Sequence, residues 1–225
     1  MRAVIFDFDG VVFDSETPLY NGWADAFQEY GADLEIDEWA MCIGTKNAID
    51  PIKLLVDKVA KFDPVKASQI LESGGKLNEA VYKNVSIALK GSPKLMPGVK
   101  SWLDRAIELD LKIGMASSSS LDWLEEHLSS LKIRHYFQVL VGADYPIKPK
   151  PSPDVYLKAI QDLEELPEDV FAVEDSPHGV NSAKRAGLRV VACPTHLTRY
   201  LNFDSADLII TRLDECSLDN VIELF

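Results

Sequence analysis

The chain has 225 residues, 47% of them hydrophobic, enough for one well-cored domain or a core carrying a smaller insert. Its 36 acidic against 23 basic residues give a formal net charge of -13, which opposes a broad nucleic-acid footprint, and no basic patch offsets it locally. No run of about 18 apolar residues occurs and strand-like sequence begins at once without a basic, apolar leader, so the expectation is a cytoplasmic protein with neither nucleic acid nor membrane as partner.

AVIF at 3–6 reads as a buried first strand that breaks, at FDFDG, into Asp7, Asp9 and Gly10. The next segment carries the helix-period patterns LYNGWADAFQEYG, AIDPIKLLVDKVAKF and KASQILESGGKLNEAVYKNV, without a convincing alternating strand. A βαβ unit needs roughly 30 residues, and the gap to the second strand candidate is about three times that. The segment is therefore expected to be a helical cap inserted after the first strand, returning through KGSPKLMPGV with its Gly91, Pro93, Pro97 and Gly98. Beyond it, strands are expected at LKIGMA (111–116), FQVLV (137–141), VFAV (170–173), LRVVA (188–192) and LII (208–210). SWLDRAIELD, LDWLEEHLSSL, PDVYLKAIQDL and HGVNSAKRAG supply helical patterns between them, with Ser119 and Ser152-Pro153 as nearby caps. The alternation predicts an α/β fold with a doubly wound, mostly parallel sheet, its core formed by 1–14 and 94–225 and its helical cap by 15–93.

Three scattered cysteines, Cys42, Cys193 and Cys216, suit a reducing compartment and read as core filler. Of the histidines, His127 falls in a helical pattern and is expected to be partly exposed, while His178 beside EDSPHG reads as helix-start sequence without a catalytic role.

In open α/β sheets, ligands sit beyond the carboxyl ends of the strands. Asp7 and Asp9 follow the first strand, Ser117 the second, Glu174 and Asp175 follow VFAV, and Lys150 lies in IKPKPSPD after FQVLV. Taken singly, each has a bland reading as a turn, cap or solvated loop residue. Their joint occurrence at the ends of one sheet makes coincidence the weaker explanation. Four converging carboxylates repel unless a cation binds them, and an all-oxygen set suits Mg2+. Lys150 and Ser117 add a positive charge and a hydroxyl donor suited to phosphate oxygens. Helix starts after SSSS and DSPHG would add backbone N–H groups. Alternation along an extended segment would send the Asp7 and Asp9 carboxylates the same way and leave Phe8 facing the core.

DFDGVVFDSE, MASSS, KPKPSPDVY and VEDSPHGVNSAKRAG, in this order and spanning nearly the whole chain, resemble the four motifs of the haloacid dehalogenase superfamily, in its phosphoglucomutase-like branch with a helical cap. The resemblance implies a phosphatase of a small phosphorylated metabolite, a sugar phosphate or similar monoester. Asp7 would be the nucleophile that carries an aspartyl-phosphate, and Asp9 the general acid and then base. Ser117, Ser118 and Lys150 would bind phosphate, and Asp7, Glu174, Asp175 and the Asp9 backbone carbonyl would hold Mg2+. The cap loop CIGTKNAID, with Lys46 and Asn47, and Glu16 at the cap hinge are the candidate substrate contacts, in a monomer or weak dimer.

A phosphosugar mutase is the alternative. Those relatives place a His in the first cap helix and an Arg in a cap loop, where the nearest positions here are Leu19 and Lys46-Asn47. Dehalogenases usually lack the second aspartate, so Asp9 favours phosphate chemistry. Receiver-type binding switches also combine acidic residues, Lys and Mg2+ on such a sheet, but they are shorter and have no insert.

Overall fold

A computed structural model describes residues 1–41, 43–44, 50–91, 93–144 and 146–225. The chain divides into two compact units, one of Met1–Asp14, Ile43–Lys46 and Pro93–Phe225, the other of Ser15–Cys42 and Asn47–Ser92.

The smaller unit is helical: α1 (Glu16–Glu29), α2 (Ile36–Ala40), α3 (Pro51–Val59) and α4 (Pro64–Gly91). Trp23, Ala26 and Phe27 form the buried stripe of α1, at the i, i+3, i+4 spacing of a helix packed on one face. Asp50 starts α3 by accepting the N–H groups of Ile52 and Lys53, and Pro51 at the first helical position gives up no needed donor. The 28-residue α4 runs through Gly74-Gly75, beyond the stretch its sequence pattern suggested. Gly74 lies against Ile52 so closely that a Cβ there would come within 2.7 Å of it, and this closeness is what lets α3 pack on α4.

The larger unit holds α5 (Val99–Glu108), α6 (Leu121–Ser130), α7 (Asp154–Leu163), α8 (Pro177–Arg185) and α9 (Leu218–Leu224) around one sheet. Its strands are β1 (Ala3–Phe6), β2 (Lys112–Ala116), β3 (Val139–Val141), β4 (Val170–Glu174), β5 (Arg189–Ala192) and β6 (Leu208–Ile209). Their order is β3-β2-β1-β4-β5-β6 and every pairing is parallel. From β1 the chain winds outward to β3 and then returns to build the other half from β4. The crevice where the direction of winding reverses therefore lies between the carboxyl ends of β1 and β4.

All four residues of β1 are buried, as a strand covered on both faces requires. Ala3 and Ile5 join a core with Val155, Ala159, Ile160, Ala172 and Val190. On the other face the Phe6 ring meets Trp102 and Phe137 edge-on, at centroid distances of 6.5 and 6.4 Å. The Trp102 indole N–H is satisfied by the carbonyls of Leu213 and Cys216.

Several expectations need correction. The hydroxyl that caps α6 belongs to Ser120, which accepts the Trp123 N–H, and not to Ser119. His127 is buried, only 3% exposed, because its position on α6 packs it against Phe8, Phe13 and Trp123. Cys193 and Cys216 are free and only half-buried, since both lie where the chain has left regular structure; Cys42 is outside the described residues. β2, β3 and β5 each begin one or two residues later than their apolar runs. Before β3, Arg134–Tyr136 forms a 3-10 turn that ends at Phe137.

Candidate active site

Asp7 is set at the crevice by the strand ladder, its N–H donating to the Val173 carbonyl one residue beyond β1. The chain then folds back: the Gly10 N–H reaches the Phe13 carbonyl, and the Val12 and Phe13 N–H groups share the carbonyl of Phe8. Gly10 has φ +89°, and a Cβ there would stand 2.1 Å from an Asp175 carboxylate oxygen. Only glycine combines that backbone with that approach. Phe8 is fully buried against Phe13, as expected.

At the end of β4, Glu174 and Asp175 are both fully buried. Neither caps the following helix, because the Ser176 hydroxyl does so, accepting the Gly179 N–H at 3.1 Å. One carboxylate oxygen from each of Asp7, Glu174 and Asp175 lies within 4.8 Å of the others. Lys150, 1% exposed, places Nζ 2.6 Å from Asp7 Oδ1 and 2.7 Å from Glu174 Oε1. Tyr156 lies beside this pair, its ring centroid 5.2 Å from Lys150 Nζ and its hydroxyl donating to Glu174 Oε1.

The electrostatics follow from burial. Three carboxylates face one ammonium in a space closed to water. Burial pushes the Asp7 carboxyl up to about 8; Lys150 opposes that rise, while Glu174 and Asp9 add to it. For Lys150, burial pulls the ammonium down, yet the charges of Asp7 and Glu174 outweigh it and hold the group above its ordinary value. Among the described residues, Glu174 Oε2 is buried without a hydrogen-bond partner, and a Cβ at Gly179 would fill the space 1.9 Å from it. An excess of buried carboxylate, an all-oxygen donor set and a cradle kept open by Gly10 and Gly179 fit a hard divalent cation.

Asp9 has separate partners. Strand pairing to β2 and β4 ends near Asp7, and the Asp9 carboxylate turns to the start of α6. Its Oδ2 accepts from Ser119 Oγ at 2.7 Å and more weakly from Ser117 Oγ at 3.4 Å, and its Oδ1 accepts from Trp123 Nε1 at 3.2 Å. Ser117 is buried just beyond β2, and its N–H donates to Val141. The Ser118 hydroxyl donates to the Gly44 carbonyl and accepts the Lys150 N–H, both at 3.1 Å, so it ties the β2 end to the lysine's backbone.

Asp7, Asp9, Ser117, Ser118, Lys150, Glu174 and Asp175 thus gather around one end of the sheet. Glu16 opens α1 in the smaller unit, while Lys46 and Asn47 lie outside the described residues. Ser119, Trp123 and Tyr156 are the site residues that the motif reading passed over. Nothing in the local sequence of these three residues marks them for the site.

The sequence matches the family model of haloacid dehalogenase-like hydrolases over residues 4–193. It is 34% identical over 219 residues to YhcW of Bacillus subtilis, covering 97% of this chain and 94% of that protein. To hexitol phosphatase B of Escherichia coli strain K12 it is 29% identical over 222 residues, 98% of this chain and 96% of the relative. Among solved structures, β-phosphoglucomutase from Clostridium difficile superposes with a TM-score of 0.73 at 22% identity, covering all of this chain and 96% of the other, a likeness of fold.

Proposed function

The chain belongs to the haloacid dehalogenase-like hydrolases, and from that premise we propose a Mg2+-dependent phosphatase of a small phosphorylated metabolite that works through a phosphoryl ester on Asp7. The observation that carries this reading is the buried Asp7–Glu174–Asp175 cluster paired to Lys150 at the switch point of the sheet. Asp7, Glu174 and Asp175 would hold the cation together with the Asp9 backbone carbonyl, and when bound it supplies positive charge against the phosphoryl oxygens. Lys150 adds its own charge there, and Ser117 offers a hydroxyl donor.

In the first displacement an Asp7 oxygen forms a bond to phosphorus as the bond to the substrate's ester oxygen breaks, and the Asp9 carboxylic acid gives its proton to the leaving oxygen. In the second, the Asp9 carboxylate takes a proton from water whose oxygen attacks phosphorus, and the bond to Asp7 breaks to release inorganic phosphate. Both aspartates then return to their starting states.

Sugar phosphates are the proposed substrate class, in keeping with the hexitol phosphatase relative. Lys46, Asn47 and Glu16 are the proposed substrate contacts, and Lys46→Glu should raise KM for the true substrate. We place the enzyme in the cytoplasm as a monomer or weak dimer; its charge of -13 argues against a nucleic-acid partner. The mutase alternative draws on likeness of fold, while the nearest position here to the cap-helix histidine of mutase relatives is Leu19.

The test is phosphate release from sugar phosphates, phosphoglycolate, nucleotides and an aryl phosphate, with and without Mg2+, with sugar-phosphate interconversion followed in parallel. Cation-dependent release that is lost in Asp7→Asn supports the phosphatase. Isomerisation without net release would overturn it in favour of a mutase.

A further inference from the structure

Asp9 has to present one carboxyl group to two different partners, the leaving oxygen and then a water, so its orientation matters as much as its charge. It sits in the fold-back that follows β1, where the backbone alone does not fix a side chain. Its carboxylate is held instead from the start of α6, by Ser119 just before the Ser120 cap and by Trp123 in the first turn. The Ser119 hydroxyl meets Oδ2 at 2.7 Å and the Trp123 indole N–H meets Oδ1 at 3.2 Å, so the two oxygens are gripped by different donors. A carboxylate bonded through one oxygen can still rotate; one bonded through both cannot without breaking a bond.

The indole is itself locked. His127, one turn along α6, lies against it with ring centroids 3.8 Å apart and the rings tilted by 37°, and His127 Nδ1 donates to the Trp123 carbonyl at 2.9 Å. The imidazole is buried and packed on Phe13 and Phe8, at centroid distances of 5.2 and 6.3 Å. Phe8 immediately precedes Asp9, so one aromatic cluster fixes both the backbone that carries the carboxylate and the indole that orients it. Ser120 caps α6 and leaves the Ser119 hydroxyl available to Asp9.

We infer that Trp123, with Ser119, is a positioning residue for Asp9, aligning its carboxyl group for proton transfer to the leaving oxygen. The inference rests on the phosphatase reading, in which Asp9 is the general acid. Its signature is dependence on the leaving group. An alkoxide needs the proton in the transition state, whereas para-nitrophenolate leaves without one. The parameter to read is kcat/KM, which reports the steps through the first irreversible one, the cleavage of the substrate ester.

Trp123→Phe keeps an aromatic ring beside His127 and removes the indole N–H together with the five-membered ring that carries it, while Ser119→Ala removes a single hydroxyl. For Trp123→Phe, kcat/KM should fall about tenfold for an alkyl phosphate substrate, the effect of losing one hydrogen bond to a charged group, and stay within about twofold of wild type for para-nitrophenyl phosphate. Ser119→Ala should show the same pattern, and Asp9→Asn, read as the single-turnover rate of leaving-group release because it lacks the base for steady turnover, should show it most strongly. Equal losses on both substrates in Trp123→Phe and Ser119→Ala, or no loss on either, would overturn the positioning role while Asp9→Asn still discriminates. If Asp9→Asn also fails to discriminate between the leaving groups, the general-acid reading falls and the inference falls with it.

Discussion

Replacing Lys150 by methionine, a side chain of similar length without the charge, tests whether the lysine neutralises the buried acid cluster. Nζ stands 2.6 Å from Asp7 and 2.7 Å from Glu174, and all three side chains are nearly or wholly buried. Removing one partner of a buried ion pair costs about 3–5 kcal/mol, because the remaining charge has no water to return to. For a chain of this length each kcal/mol moves the melting midpoint by about 2–4 °C, so Lys150→Met should melt about 6–20 °C below wild type near neutral pH without divalent cations. Near neutral pH the charge left uncompensated is that of Glu174, and the loss should grow as pH rises through about 8, where burial no longer keeps Asp7 protonated and a second carboxylate would have to be held without its counter-ion. Lys184→Met is the matched control. Its ion pair with Asp207 has a similar distance, 2.8 Å, but both side chains are 34% exposed, so its loss should cost no more than about 1 kcal/mol. Differential scanning fluorimetry from pH 5 to 8.5 in EDTA measures both. Equal melting of the two variants would refute the idea that Lys150 is a structural counter-ion.

Three further outcomes are expected. In the absence of divalent cations, Asp7 keeps its proton in the fold to about pH 8, while the unfolded chain releases it near 3.8. Its contribution to stability is therefore complete below 3.8 and is lost as pH rises through 8, by ~1.4 kcal/mol per pH unit between the two values. The difference in melting midpoint between wild type and Asp7→Asn should follow that slope in EDTA, and Mg2+ should flatten it. Gly10→Ala should weaken Mg2+ binding measured by titration calorimetry, because the new Cβ meets the Asp175 carboxylate; Gly187→Ala, also at positive φ but with its nearest neighbour at 3.4 Å, should lose stability alone. Tyr156→Phe should lower the affinity for Mg2+ as well, since Glu174 loses the hydroxyl that orients its carboxylate.

What the sequence disclosed follows physical lines. β1 and β4 are legible to within one residue because a strand buried on both faces has to be continuously apolar. The strands toward the sheet edges are harder: Phe137 and Gln138 look like strand residues, but only Val139–Val141 pair with β2, and Phe137 is recruited to the core beside Phe6. His127 misled because α6 sets a histidine on its inward face, where the rings of Phe8, Phe13 and Trp123 replace water. Within the site, the acids and Lys150 announce themselves as polar residues at the ends of apolar runs. Trp123 and Tyr156 do not, because an aromatic at helical spacing ordinarily signals core packing, and their polar atoms act on partners 114 and 18 residues away. Ser119, in a run of four serines, carries nothing locally to separate it from its capping neighbour.

The most direct test of the account is to look for the phosphoryl group on the protein. Asp9→Asn, which can still accept phosphoryl from para-nitrophenyl phosphate but lacks the base that activates water, would be mixed with that substrate and Mg2+, quenched in acid and mapped by peptide mass spectrometry. The account predicts a phosphoryl adduct on the peptide containing Asp7, absent from the Asp7→Asn, Asp9→Asn double variant. Turnover by wild type with no adduct in Asp9→Asn, or an adduct on any other residue, would contradict it.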